Sequence, residues 1–338
     1  MYTAFYNFTG RPFQLTPDPR FYFESRTHKK AMAYLTYGLS QNEGFIVITG
    51  DIGAGKTTLV GHLLDELDKN KYIAAKVVTT QLDADAILRM VASSLGVKPE
   101  GLDKASILKK IEGLMIDLCR RGKRVLLVVD EAQNLSNSAL EELRMLSNFQ
   151  LEQKPLVQCF LLGQPQFRDR LGSDPDLEQV RQRVIATYHL LPLGDVEETR
   201  KYITHRLETV GWTGDPEFAE DAFAKIYSAT DGVPRKLNTL CSRILLYGFL
   251  EELHKFDEKV VQNVIDDLAL EQKSMGDADQ ARKPAAKGMA ISDLGDPAEI
   301  LNRLETLERF VNQHERTINR AIDIAADWLE GGTDDASE

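Results

Sequence analysis

Residues 45–58 read FIVITGDIGAGKTT, a short aliphatic run followed by glycines, a lysine and two threonines. The run Phe45–Thr49 predicts a buried strand, and the apolar spacing of Leu59–Asp68 predicts the helix that follows it. Between them the pattern GxxxxGK[ST] is complete. Glycines at 50, 53 and 55 leave room for backbone N–H groups to surround an anion at the start of the helix. We therefore expect a phosphate-binding loop, and with it a bound nucleotide.

The loop supplies the first set of candidate binding residues. They are Gly50, Asp51, Ile52, Gly53, Ala54, Gly55, Lys56, Thr57 and Thr58. The ammonium of Lys56 suits the β and γ phosphates, and the hydroxyl of Thr57 suits Mg²⁺. The alternative, a glycine turn that opens a helix by chance, is disfavoured because a strand and a helix flank the motif.

A pair of acidic residues follows another aliphatic run, Val125–Val129. An aspartate at the end of a buried strand suits a metal ion held opposite Thr57, so Asp130 and Thr57 are the candidate Mg²⁺ ligands. Glu131 stands where a base would polarise an attacking water. The alternative, that the two acids only end a strand and cap the next helix, is weaker in a chain that also carries the phosphate loop. The pair predicts hydrolysis as well as binding.

Short aliphatic runs alternate with helix-length segments from 44 to 193, which is typical of a parallel sheet covered on both faces. The predicted strands are Phe45–Thr49, Tyr72–Thr79, Val125–Val129, Leu156–Leu162 and Val184–Leu190. From 194 to 270 the strand signal ends. Four helices are predicted there, Val196–Val210, Glu217–Ala229, Arg235–Leu250 and Glu258–Leu268.

Composition divides the rest of the chain. We expect an N-terminal arm and helix at 1–43, a polar linker at 271–298 and an acidic tail at 331–338. Apolar residues at alternating spacings of four and three run through 299–330, which fits either a coiled coil or a single amphipathic helix that docks on the body. The aromatic residues of the N-terminal arm fit either stacking on adenine or packing under the sheet, with core packing as the default.

Three weaker signals involve polar residues after the predicted strands and at a helix start. Gln164 follows the fourth strand, where its amide is suited to orient a water or to contact the γ phosphate. Arg181 and Arg183 precede the fifth strand and are either surface charges or an arginine finger for a neighbouring subunit. Arg235 opens a helix, where a cation opposes the helix dipole unless an anion lies near it.

Several of these segments resemble the AAA+ ATPases of the ExeA/GspA type. The resemblance rests on Asp130–Leu135, Gly163–Pro165, Gln182–Val184, Gly232–Arg235 and Phe13–Leu39. Within that group the opening 1–21 and residues 37–45 look most like the ATPase that accompanies exosortase/PEP-CTERM exopolysaccharide loci. The transposition ATPases TnsC and MuB are more distant relatives.

The resemblance implies a P-loop NTPase of the AAA+ class, with sheet order 5-1-4-3-2 and a helical lid at 194–270. It also implies ATP and Mg²⁺ as ligands, and rings or filaments with sites between subunits. Gln164 would be the first sensor, Arg183 the finger acting in trans with Arg181 as runner-up, and Arg235 the second sensor. Glutamine replaces the asparagine commonest at the first-sensor position of AAA+ proteins.

Composition narrows the remaining choices. The net charge is −11, and residues 271–338 account for most of it with 15 acidic and 8 basic groups. The near-neutral remainder neither requires nor excludes a DNA partner, and the acidic end argues mildly against one. No run approaches the ~20 apolar residues of a membrane span, no signal peptide is visible, and the cysteines form no metal motif. We expect a cytoplasmic protein, or one peripheral to the inner membrane. ExeA-type ATPases usually continue into a membrane span and a peptidoglycan-binding domain, so we expect no direct role here in remodelling the cell wall.

Two functions fit these residues. The favoured one is an oligomeric, Mg²⁺-dependent ATPase that energises or regulates assembly of an envelope secretion or exopolysaccharide export system of the PEP-CTERM/exosortase type. Its partner would be an envelope or membrane-system protein bound through 299–330. The alternative is an ATP-controlled, DNA-binding transposition regulator of the TnsC/MuB type.

Overall fold

The computed structural model describes residues 1–281, apart from Pro17, Asn42 and 79–81, and it describes side chains as far as Glu271. The predicted heptad segment at 299–330, the acidic tail at 331–338 and the part of the predicted linker from 282 onwards lie outside the described residues.

Five strands form one parallel sheet. They are β1 Phe45–Gly50, β2 Tyr72–Val78, β3 Arg124–Asp130, β4 Val157–Gly163 and β5 Val184–Leu190. Their order is β2-β3-β4-β1-β5, which confirms the predicted 5-1-4-3-2 order. Because all neighbours are parallel, the carboxyl ends of the three central strands meet at one edge, at Gly50, Asp130 and Gly163.

Twelve α-helices occur in the described residues. They are α1 Tyr2–Phe5, α2 Arg26–Gln41, α3 Lys56–Glu66, α4 Ala84–Ser94, α5 Lys104–Arg120, α6 Asn137–Ser147, α7 Pro165–Ser173, α8 Glu178–Arg181, α9 Val196–Glu208, α10 Glu220–Thr230, α11 Pro234–Leu250 and α12 Glu258–Ala281. Helices α4, α5, α6 and α9 each begin at an N-cap side chain that accepts a backbone N–H, namely Asp83, Asp103, Ser136 and Asp195. Such caps satisfy donors that a helix start leaves free, which is why these helices begin where they do.

The sheet buries both faces, because alternate residues of each strand point to opposite sides. In β1, Phe45 and Val47 pack on the side of α4 to α7, and Ile46 and Ile48 pack on the side of α2 and α3. The near-continuous aliphatic runs follow from this two-sided burial.

The helical lid has a third core, to which the N-terminal arm contributes. Tyr6, Phe8 and Phe13 are buried among the helices α9 to α11 rather than under the sheet, which corrects the predicted site of their packing. The hydroxyl of Tyr6 donates to the carbonyl of Leu253 at 2.8 Å. Arm, sheet and lid belong to one compact unit, Met1–Gln272.

Two features of the lid differ from the sequence expectation. Helix α12 continues to Ala281, so it extends into the stretch assigned to the linker. A parallel pair of two-residue strands, Glu217–Phe218 and Lys255–Phe256, lies where no strand was predicted, and two residues are too short to give a periodic signal. Among the described residues, none of the helices has both the length and the apolar character that a bilayer crossing demands.

A candidate nucleotide-hydrolysis site

The phosphate loop connects β1 to α3 at the carboxyl edge of the sheet. Gly53 and Gly55 have φ of +85° and +97°, a region in which a side chain would be strained. Helix α3 begins directly afterwards, at Lys56, and the N–H groups of a first helical turn have no partner within the helix. The loop therefore has the geometry of an anion site at a helix N-terminus.

Lys56 crosses this loop with its side chain. It is 7% exposed, and its Nζ donates to the carbonyls of Gly50 at 2.8 Å and Asp51 at 3.0 Å. Burial lowers the pKa of Lys56, and the nearby carboxylates of Glu131, Asp130 and Asp51 oppose that shift. A largely desolvated ammonium favours an anion beside it, because a phosphate replaces the lost hydration.

Thr57 and Asp130 meet across the loop. The hydroxyl of Thr57 donates to Oδ2 of Asp130 at 2.8 Å, and Asp130 is buried. A hydroxyl and a carboxylate are the hard oxygen donors that Mg²⁺ takes. The described residues contain no group of three His, Cys, Asp or Glu side chains able to hold a metal alone. The two residues thus fit a Mg²⁺ that completes its shell with phosphate and water oxygens.

Glu131 follows Asp130 in an unusual backbone conformation. Its φ is +56°, in the left-handed region, and non-glycine residues in that region cluster at functional sites. Its carboxylate accepts a hydrogen bond from the amide of Gln133 and another, at 3.3 Å, from the amide of Gln164. The carboxylate is therefore held at the carboxyl edge of the sheet, beyond Asp130.

Gln133 is a site residue that the sequence reasoning did not single out. Its Oε1 accepts the backbone N–H of Gln164 at 3.0 Å, while its Nε2 donates to Glu131. It links the turn after β3 to the end of β4. In the sequence, the one signal for Gln133 was its place in the run Asp130–Leu135, which contributed to the resemblance to ATPases of the ExeA/GspA type.

Arg235 approaches the phosphate loop from the lid. Its backbone N–H donates to the carbonyl of Gly53 at 3.2 Å. A Cβ added at Gly53 would lie 2.2 Å from the Cβ of Arg235, so the start of α11 rests directly on the loop. The Arg235 side chain is exposed and lines the same cavity as Lys56 and Thr57.

Arg183 and Arg181 lie at the opposite end of the sheet. In the pairing of β1 with β5, Gly50 faces Leu190 whereas Phe45 faces Val184. Arg183 precedes that strand and is therefore about 20 Å from the loop of its own chain. Its guanidinium contacts Asn148, and that of Arg181 is bound to the carbonyls of Leu171 and Gly172 and to Glu178. Neither arginine joins the site within one chain.

A cavity of about 360 Å³ lies between the phosphate loop, the arm and the lid. The far wall contains Phe21 and Tyr22 from the arm and Tyr202 and Arg206 from α9. Arg206 is buried and donates to the carbonyl of Pro12 at 2.6 Å, which fixes the arm against the lid. The wall is about as polar as it is apolar, and its aromatic part, Phe21, Tyr22 and Tyr202, suits the base of a nucleoside. Phe21 and Tyr22 belong to the aromatic arm, for which stacking on adenine was one of the two alternatives, whereas the sequence reasoning did not single out Tyr202 or Arg206.

Sheet order, phosphate loop and lid together define the fold of an AAA+ P-loop nucleotide-binding protein, and the predicted fold class is confirmed. A family model described as "AAA domain" matches residues 39–171. The chain is similar to General secretion pathway protein A of Aeromonas hydrophila, with 35% identity over 263 residues, 75% of this chain and 46% of that protein. The predicted resemblance to ATPases of the ExeA/GspA type is thereby confirmed.

Other relatives are more distant. An uncharacterised HTH-type transcriptional regulator of Methanocaldococcus jannaschii is 28% identical over 209 residues, 60% of this chain and 49% of that protein. The chain thus spans about half the length of the curated relatives it matches. The ADP form of the Aeropyrum pernix ORC2 protein superposes with a TM-score of 0.58 at 18% identity, covering 76% of this chain and 72% of that one. At this identity the likeness is one of fold.

Proposed function

We propose that the chain is a Mg²⁺-dependent ATPase that works as an oligomer in assembling an envelope secretion or exopolysaccharide export system. The observation that carries the hydrolytic part is the position of Glu131. Its carboxylate lies beyond the Thr57–Asp130 pair and is held by the amides of Gln133 and Gln164. A base fixed on that side of a phosphate site is the arrangement that activates water for attack.

Each residue of the site has a separable task. Lys56 and the loop amides bind the phosphates, and a bound Mg²⁺ supplies charge neutralisation between them. Glu131 accepts the proton of the attacking water, and Gln164, whose amide already reaches this carboxylate, orients that water. Arg235 belongs to the lid and its side chain lines the cavity, so the charge of a bound phosphate attracts the lid towards the phosphate loop.

An arginine finger would have to come from a second copy of the chain. Arg183 precedes the strand whose far end adjoins the phosphate loop, so it has no route to its own site. Of the two candidates, Arg181 has more contacts within its chain, with two carbonyls and Glu178. We favour Arg183 as the residue that completes a neighbour's site, with rings or filaments as the assembly.

The cellular role is inferred from the relative named for general secretion. We propose a cytoplasmic or peripheral inner-membrane location and an envelope protein of the PEP-CTERM/exosortase type as partner. Residues 299–330 are the proposed docking or oligomerisation segment.

The test combines ATP turnover with molecular mass by light scattering, with and without Mg²⁺, a slowly hydrolysed ATP analogue and duplex DNA, at two salt concentrations. We expect a discrete nucleotide-dependent oligomer that DNA leaves unchanged, and turnover that Glu131→Gln abolishes. Long assemblies that form only with DNA and dissolve in salt would replace this role with the transposition-type alternative. Absence of turnover in the wild-type chain would refute the proposal.

A further inference from the structure

His28 is a buried histidine at the edge of the nucleotide cavity that the hydrolytic site does not use. It is 6% exposed and lines the cavity together with Gly55 and Lys56. A Cβ added at Gly55 would lie 2.8 Å from Nε2 of His28, so this nitrogen borders the phosphate loop. Among the described residues Nε2 has no hydrogen-bond partner. Since His28 lines the cavity, Nε2 is open to a water or to a group of a bound ligand there.

The other ring nitrogen belongs to a chain of hydrogen bonds. Nδ1 of His28 lies 2.7 Å from the hydroxyl of Ser25, which lies 3.1 Å from the hydroxyl of Thr27, and Thr27 donates to the carbonyl of Leu191 at 3.1 Å. Thr27 has one hydroxyl hydrogen and spends it on that carbonyl. All three contacts are hydrogen bonds at once when Ser25 donates to Thr27 and His28 donates its Nδ1–H to Ser25.

We assign the tautomer of the ring from this arrangement, which makes a hydrogen bond of every contact in the chain. With the proton on Nδ1, Nε2 carries a bare lone pair towards the cavity. Burial lowers the pKa of His28 to about 4, against the opposing charge of Glu198, so the ring is neutral near pH 7. A neutral acceptor repels phosphate oxygens and attracts donors, and the donors of a nucleotide are on its nucleoside part.

We propose that Nε2 of His28 accepts a hydrogen bond from the nucleoside part of the bound nucleotide and thereby contributes to nucleotide selection. The inference rests on the proposed function, because it requires a nucleotide in the cavity. Two groups share the required chemistry, a ribose hydroxyl and the exocyclic amine of adenine.

The contacts of neighbouring residues keep the acceptor in place. The Thr27 hydroxyl is bound to Leu191, in the link between β5 and α9, and the backbone N–H of Arg26 donates to Glu198 of α9 at 2.7 Å. The turn that carries His28 is thus attached to the base of the lid. The His28 side chain is therefore held in place before the nucleotide binds, so its proposed contribution to nucleotide selection comes from a preorganised group.

The experiment measures the dissociation constants of Mg-ADP and three analogues, 2′-deoxy-ADP, 3′-deoxy-ADP and purine riboside diphosphate, for wild type, His28→Leu and His28→Gln. We expect His28→Leu to bind ADP about 3- to 10-fold more weakly, the range for one neutral hydrogen bond. His28→Gln, whose amide oxygen is an acceptor, should recover most of the loss. His254→Leu, an exposed lid histidine outside the cavity, is the control and should bind as wild type does.

The analogues identify the donor. The analogue that lacks it should bind wild type and His28→Leu equally, whereas the others keep the difference. A loss in His28→Leu that is the same for all three analogues as for ADP would overturn the proposal, as would equal ADP binding by the two proteins. A wild-type chain that binds no ADP would refute the proposed function as well.

A measurement on the unaltered chain guards against misfolded variants. In protein with ¹⁵N-labelled histidine, we expect the His28 ring to carry its proton on Nδ1 and the Nε2 resonance to shift on addition of Mg-ADP. A proton on Nε2, or a ring unaffected by ADP, would overturn the proposal.

Discussion

At the scale of single residues, the chemistry of the site depends on how Glu131 is held. Its left-handed backbone turns the carboxylate out of the strand direction, and the amide of Gln133 binds it from two residues further on. Backbone strain of this kind costs of order 1–3 kcal/mol and persists where the surroundings fix it. Glu131 and Asp130 are adjacent in sequence, but their carboxylates have different partners. Asp130 accepts from Thr57, whereas Glu131 accepts from Gln133 and Gln164.

Replacement of Glu131 by glutamine should separate binding from hydrolysis. Glu131→Gln keeps the size of the side chain but removes the base, so kcat for ATP should fall by about 10² or more while ADP affinity stays within about 2-fold. Steady-state phosphate release and calorimetric titration measure the two quantities. Asp169→Asn, at an exposed carboxylate on α7, is the control. Unchanged turnover in Glu131→Gln would exclude this residue as the base.

Gln133→Ala tests the positioning of that base. It removes the link between Glu131 and the N–H of Gln164, so kcat should fall about 10-fold with KM nearly unchanged, since Gln133 does not border the cavity. Initial rates over a range of ATP concentrations separate the two constants. Gln262→Ala, at an amide on α12 that donates to Asp266, should have no effect. A rise in KM alone would assign Gln133 to binding.

His28 also predicts a pH dependence of stability. Its pKa is about 4 in the folded chain against 6.5 for a histidine exposed to water, because burial disfavours the charged ring. Between these values the unfolded chain binds more protons than the folded one, so stability falls as pH falls. The free energy of unfolding of wild type minus that of His28→Gln should drop by on the order of 2–3 kcal/mol from pH 6.5 to 4. Urea titrations at several pH values measure this, and parallel curves would contradict the burial of a neutral ring.

At the scale of elements, the sequence predicted the sheet and most helices because each signal is local. Val184–Leu190 is a strand with the predicted bounds, and α11 starts one residue before the predicted Arg235. The packing of the N-terminal arm on the lid was not predictable, since apolar spacing in Tyr6–Phe13 marks a buried face without naming its partner. The contact between Gln133 and Glu131 was missed for a related reason: it depends on one left-handed residue that no periodicity encodes.

The contact between α11 and the phosphate loop yields a matched pair of glycine variants. In Gly53→Ala the new Cβ would meet Cβ of Arg235 at 2.2 Å on a backbone of φ +85°, so the lid must move and ADP affinity should fall about 10-fold or more. Gly61→Ala, inside α3 with nothing within 4 Å of the added atom, should instead raise stability by about 0.5–1 kcal/mol and leave affinity alone. Titration with ADP and thermal unfolding distinguish the two, and equal behaviour would argue against the lid contact.

At the scale of the whole molecule, the two ends of β5 separate two roles. One end adjoins the phosphate loop, and the other carries Arg183 about a strand length away. In the proposed mechanism the described residues supply the phosphate loop, the metal ligands and the base of the site, and a neighbouring copy supplies the cation on the far side of the γ phosphate.

Mixing inactive variants tests that division. Arg183→Ala should lower turnover about 10³-fold or more if the finger acts in trans. Mixed with Glu131→Gln it should regain part of the wild-type rate, because an intact site of one variant then meets an intact arginine of the other. Arg181→Ala should remain closer to wild type. If turnover recovers only when Glu131→Gln is mixed with Arg181→Ala, then Arg181 is the finger instead of Arg183. If turnover recovers in neither mixture, a finger in trans is excluded.

The packing of the N-terminal arm on the lid also determines when the chain can complete its folding during synthesis. The hydroxyl of Tyr6 and the carbonyl of Leu253 that it binds are 247 residues apart in sequence. At a synthesis rate of roughly 5–20 residues per second, the aromatic arm is made about 10–50 s before the helices that bury it. During that interval Tyr6, Phe8 and Phe13 of the nascent chain are exposed to solvent, and exposed aromatic side chains of this kind are what chaperones bind. The sheet can form in the meantime, whereas the lid closes its core only when the last helices emerge and the oldest segment of the polypeptide returns to them.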